Sequence, residues 1–135
     1  MALLNWSASY SIGVAVLDSE HRHLFDLLNQ LYDSIIDGSV SDENTRGILD
    51  KVLDFAVRHC DHEEEMLAQA NYPGLADVSH QHEYLRDKMG DFQRKLSRHG
   101  CVSTELANFL MEWVLQHILK EDKKCGAFLN TVGIY

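Results

Sequence analysis

The sequence predicts an all-α fold, an up-down-up-down four-helix bundle with an extended N-terminal arm. Three observations predict it. Apolar residues recur at spacings of three and four along four long segments, the period of one helix face. A single proline, Pro73, interrupts the chain, and the glycines fall at a few places between those segments. No segment sustains the apolar–polar alternation of a strand. At 135 residues the chain has the size of one domain with a useful core, so a single domain over residues 1–135 is expected.

The opening MALLNWSASYSIGVAVL reads as the arm. The first helix is expected from Asp18, as N-cap, to about Ile36, with Gly38 just past its end. Its stripe is His21, Leu24, Leu28, Leu31 and Ile35, which turns His21 inward. The second helix begins after Ser41 and ends before Asn71-Tyr72-Pro73. Its stripe reads Ile48, Val52, Phe55 (or Ala56), His59, Glu63 and Met66. The third runs from about Ala76 to Arg98, before Gly100, with His82, Leu85, Met89, Phe92 and Leu96 on one face. The fourth starts near Ser103, presents Leu106, Leu110, Trp113 and His117, and ends before Gly126. Short connections between long helices make neighbours antiparallel.

Antiparallel order brings the inward polar residues to one height. His21 is early in the first helix, His59 and Glu63 late in the second, His82 early in the third, His117 and Asp122 late in the fourth. Buried imidazoles and carboxylates are costly unless something satisfies them. Imidazole beside carboxylate is the ligand set of borderline metals such as iron, manganese or zinc. Singly, each histidine is better read as a hydrogen-bonded core or surface residue; the joint placement points to metal. Asp122 fits least well, because five residues turn it about 140° from His117 at 3.6 residues per turn. It needs reach from a neighbouring row.

Other polar residues fall outside this set. His23, His62 and His99 are out of register and read as surface, with His62 close enough to stand behind a ligand. The acidic run from Asp61 to Glu65 is a solvated face apart from Glu63. Cys60 points about 100° away from His59 and reads as a small buried hydrophobe. A ferritin-like di-iron site needs two Glu-x-x-His motifs; only Glu20-x-x-His23 is found.

Composition narrows the function. A net charge of −9 argues against nucleic acid and against an anionic membrane surface, since both need clustered Lys and Arg. No signal segment and no apolar run of membrane-spanning length is seen. Cys60, Cys101 and Cys125 are odd in number and irregularly spaced, which suits reduced thiols and a cytoplasmic location.

With LDSEHRHLFDLLNQL, HCDHEEEML before NYP, WVLQHI followed by Asp122, and an arm with Trp6 and Gly13, the chain resembles the bacterial hemerythrins over essentially its whole length. The resemblance implies a non-heme di-iron centre that binds dioxygen reversibly inside a four-helix bundle. By position it implies His21 and His59 on one iron, His82 and His117 on the other, and Glu63 and Asp122 bridging. Dioxygen or a small anion would fill an open position.

One departure stands out. The family pattern is a lone His, His-x-x-x-Glu, His-x-x-x-His, then His-x4-Asp, and the first histidine of the third motif falls on Val78. His80 lies about 200° around the helix from His82 and is expected to face away. His82 is therefore the expected ligand and His80 a nearby non-ligand, unless the loop after Pro73 swings His80 in or water or an anion fills the place. An oxygen- or redox-sensing domain of a signalling protein, with a fused or partner output module, is the expected role. A standalone oxygen carrier or storage protein is the alternative, and a metal-free helical interaction module the further one. No general acid or nucleophile stands apart from the ligand set, so no enzyme is expected.

Overall fold

The computed structural model describes residues 4–37, 42–99 and 104–135, with side chains throughout except at positions 42, 96–99 and 104. Gly38, Ser41, Gly100, Cys101 and Ser103 lie outside the described residues, as do the side chains of Leu96 and His99. Helices α1 (Ala15–Ile36), α2 (Asp42–Gln69), α3 (Leu75–His99) and α4 (Thr104–His117) form an antiparallel bundle. A π-helical turn, Ile118–Asp122, continues α4 without a break into α5 (Lys123–Thr131). These last three segments make the fourth rod, which therefore runs past the expected end before Gly126. No described helix is long and apolar enough to cross a membrane.

The stripes lie on the inward faces, but Leu49 and Leu67 are buried on α2 where the expected Ile48 and Met66 are half-buried, as are Ile35, Phe92 and Trp113 on the other helices. Leu24, Leu28 and Leu31 of α1 meet Leu49, Val52, Ala56 and Leu67 of α2, Leu85 and Met89 of α3, and Leu106, Leu110 and Val114 of α4 in one core. On α2 the alternative resolves to Ala56, which is buried while Phe55 is half-buried. α1 packs on α2 and α4, and α2 on α3; among the described residues α3 and α4 approach each other least. Asn71, at φ 57°, turns the chain out of α2, and the Tyr72 amide closes back on the Leu67 carbonyl at 2.9 Å.

Asp18 is not the N-cap. α1 begins three residues earlier, after Val14 in extended conformation. The Asp18 carboxylate instead faces back along the arm, accepting from the Ile12 amide at 2.9 Å and the Ser11 hydroxyl at 2.5 Å. The arm, with one 3-10 turn at Ala8–Tyr10, is stitched down elsewhere too. Asn29 exchanges two bonds of 2.8 Å with the Leu4 backbone, and Trp6 and Tyr10 set their rings edge-on to Phe25. Its last residues cross the fourth rod at Gly126, where a Cβ would lie 1.8 Å from the Ile12 carbonyl oxygen. Only a residue without a side chain fits that crossing.

Two glycines should therefore respond in opposite directions. Gly126→Ala forces the arm off the fourth rod and is expected to lower stability by about 2 kcal/mol or more. Gly47→Ala, inside α2 with nothing near the added carbon, should raise it by about 0.5–1 kcal/mol. Thermal and urea unfolding of the two variants check both signs.

Candidate metal centre

His21, His59, Glu63, His82, His117 and Asp122 meet at one level of the bundle, all buried. The histidines form two pairs, with Nε2–Nε2 distances of 3.0 Å for His21–His59 and 3.1 Å for His82–His117. Asp122 spans them: Oδ2 lies 3.1 Å from His21 Nε2 and Oδ1 lies 2.9 Å from His117 Nε2. Glu63 spans them from the other side, with Oε2 3.4 Å from His59 Nε2 and Oε1 3.7 Å from His82 Nε2. Two groups result, each with two histidines, and both carboxylates belong to both. That is the arrangement two bridged cations require.

Asp122 reaches its place because the helix changes pitch. In a π turn the bond runs from i to i+5. Asp122, five residues after His117, comes into line with it rather than pointing 140° away. The expected reach from a neighbouring row is replaced by one widened turn.

Outside the ring, hydrogen bonds orient the imidazoles. His59 Nδ1 donates to Glu20 Oε1 at 2.7 Å, His82 Nδ1 to Glu64 Oε2 at 3.0 Å, and His117 Nδ1 to Gln81 Oε1 at 2.8 Å. With the proton on Nδ1, each of these rings turns an Nε2 lone pair inward, the form a metal takes. Glu20 also accepts from half-buried His62 at 2.6 Å, and Glu64 from Arg86 at 3.0 Å. The Trp113 ring stacks on His117 at 4.5 Å. Glu20, Glu64, Gln81 and Trp113 carry no sequence signal for these roles beyond their nearness to the ligand candidates. His62 stands one residue further out than expected, behind Glu20 rather than behind a ligand.

The remaining candidates separate cleanly. His80 is exposed, and Val78 is buried one turn before His82. His23 is exposed, its ring against Phe55. Cys60 is buried, as a small hydrophobe would be, and lines a cavity of about 20 Å³ between the histidine pairs. The other walls of that cavity include Leu24, Ala56, Leu85, Val114 and Ile118. It has room for about one water-sized molecule.

Known proteins share this architecture. The family model described as "Hemerythrin HHE cation binding domain" matches residues 12–129. A "Bacteriohemerythrin" of Methylococcus capsulatus is 30% identical over 133 residues, 97% of this chain and 100% of that one. Another, of Stenotrophomonas maltophilia, is 29% identical over 123 residues, 91% of this chain and 79% of that one. A solved wild-type hemerythrin superposes with a TM-score of 0.89 at 28% identity, over 95% of this chain and 98% of that one.

The chemistry of the pocket itself suits a cation. Both oxygens of Glu63 and of Asp122 are buried without a hydrogen-bond partner among the described residues. Metal-free, the cluster must take up protons instead. Burial and the charge of Asp122 push the Glu63 carboxyl up. Burial acts the same way on Asp122, but adjacent His117 holds it well below the usual carboxylate range. In one histidine pair burial pushes His21 down, while His59 goes up to about 10 because its bond to Glu20 and the nearby Glu63 carboxylate outweigh burial. In the other, burial and His117 push His82 down to about 4, while Asp122 outweighs burial and raises His117. Each pair thus has one imidazole raised and one lowered, and of the two carboxyls Glu63 is the one raised.

These shifts give the metal-free protein a signed pH dependence. Glu63 and His59 hold protons that the unfolded chain gives up at lower pH, so their stabilisation is lost as pH rises. Chelated protein is expected to lose thermal stability between about pH 6 and 8. Glu63→Gln, which needs no proton, should flatten that slope. Melting temperatures across the interval, after metal removal, provide the check.

Proposed function

The chain belongs to the hemerythrin family, and from that premise we propose that His21 and His59 hold one iron, His82 and His117 the other, and that Glu63 and Asp122 bridge them. The observation that carries this assignment is the pair of unpartnered carboxylates, each with one oxygen beside each histidine pair. The family's di-iron centre, when bound, supplies reversible dioxygen binding. The residues of this chain do the rest. Glu20, Glu64 and Gln81 keep three imidazoles turned inward, and Leu24, Leu85, Val114 and Ile118 keep the cavity beside them apolar.

Within that function we propose a sensing role, as the oxygen- or redox-responsive domain of a signalling protein with a fused or partner output module. Val78 supports it. With valine where the family pattern has histidine, each iron keeps two imidazoles and shares both carboxylates. Exposed His80 offers no replacement. Both irons then have room for water or a small anion, and a donor set poorer in neutral nitrogen and richer in anions favours the ferric state. Rapid conversion to ferric iron suits a reporter and defeats a store.

Two measurements bear on these proposals. Anaerobic loading with ferrous iron should give about two irons per chain. A content well below one would return the fold to a metal-free interaction module. Val78→His should slow oxidation to the ferric state in air by roughly tenfold, about 1.4 kcal/mol of barrier. An unchanged rate would remove the support for sensing while leaving the iron assignment in place.

A further inference from the structure

We infer that the face formed by α3 and α4 docks a second copy of this chain in a parallel two-fold dimer. Among the described residues this is the seam where neighbouring helices approach least, and a groove of about 610 Å³ runs along it. Its floor is aromatic: Phe109 lies 5.7 Å from Phe92 and 6.4 Å from Tyr84 between ring centroids. Tyr84 is 49% exposed, so the floor is only partly covered. Lys88 and Lys95 lean over Tyr84 and Phe92, at 5.7 and 5.3 Å from the ring centroids.

Charge identifies the occupant. The α3 wall carries Lys88 and Lys95, and the α4 wall carries Glu105 and Glu112. None of the four forms a salt bridge with another described residue. The whole chain carries −9, so most of its surface repels a second copy, whereas these walls balance. A two-fold axis parallel to the helices sets α3 of one copy opposite α4 of the other at unchanged height. Lys95 then meets Glu105 of the second copy and Lys88 meets Glu112, and symmetry makes each pair twice. An axis across the helices would set lysine against lysine.

The area sets the strength. From Tyr84 to Lys95 the seam is ~16 Å long, and two helix widths make it ~20 Å across, or ~330 Å² per copy. A standard interface buries about 800 Å² per partner. The dimer is accordingly weak in free solution and gains when two copies are tethered close together.

Sedimentation velocity of the iron-loaded full chain, from about 10 μM to 1 mM at low salt, tests it. The expected result is a sedimentation coefficient that climbs with concentration as monomer passes to dimer. Tyr84→Lys should hold the protein monomeric throughout. Lys95→Glu should weaken association by about tenfold or more, and adding Glu105→Lys to it should restore association to the starting level. A single monomeric species in the unsubstituted chain at every concentration overturns the inference. So does a dimer indifferent to Tyr84→Lys, or one that the charge exchange fails to restore.

Discussion

Glu63 and Asp122 put four carboxylate oxygens into the centre of an apolar bundle, between two pairs of imidazoles. Such a cluster is destabilising for a folded protein unless positive charge enters it. The surrounding structure is arranged around that requirement. Four helices contribute one histidine each, the fourth rod widens to deliver the second carboxylate, and Glu20, Glu64 and Gln81 stand behind the rings to fix which nitrogen faces in. Protons satisfy the charge partially and at the wrong nitrogens' expense. A pair of divalent or trivalent cations satisfies all of it at once.

Much of this was legible in the sequence because helix periodicity and ligand spacing use the same ruler. His21 reads as inward because Leu24, Leu28 and Leu31 follow it on its own stripe, and all four are buried. His59 and Glu63, four apart, share a face for the same reason. What resisted reading departs from the regular pitch or lies off the stripe. Asp122 looked misplaced because its position depends on a π turn, and no residue of ILKED advertises one. Asp18 looked like a cap because an aspartate before an apolar run usually is one. Here the arm needed its oxygens more than the helix did. Glu20 and Gln81 sit on neighbouring rows, where spacing alone cannot tell a hydrogen-bond partner from a solvated side chain.

The metal level and the outer face are physically continuous along α4. Phe109, Trp113 and His117 follow one another at intervals of four, and the Trp113 ring lies nearly parallel to His117, at 14°. Trp113, one turn on from the seam's Phe109, thus packs against one of the inward imidazoles. A change in how firmly His117 is held therefore bears directly on a flat, rigid side chain.

The π turn also acts as a phase shifter in the fourth rod. Before it, the inward face is Leu110, Val114 and His117; after it, the inward face is Asp122, Cys125 and Leu129, displaced by one residue from where the first face would have continued. Two hydrophobic registers are spliced at that point, and the arm's crossing at Gly126 depends on the second. Loss of one residue from the turn would return it to ordinary α pitch with the downstream faces still in line, whereas closing the turn to α pitch at its present length would rotate everything downstream by about 100°. The widened turn thus absorbs one extra residue without disturbing the register on either side. Within ILKED, Ile118 and Asp122 face inward and are fixed by the site, so its freedom of spelling lies in Leu119, Lys120 and Glu121.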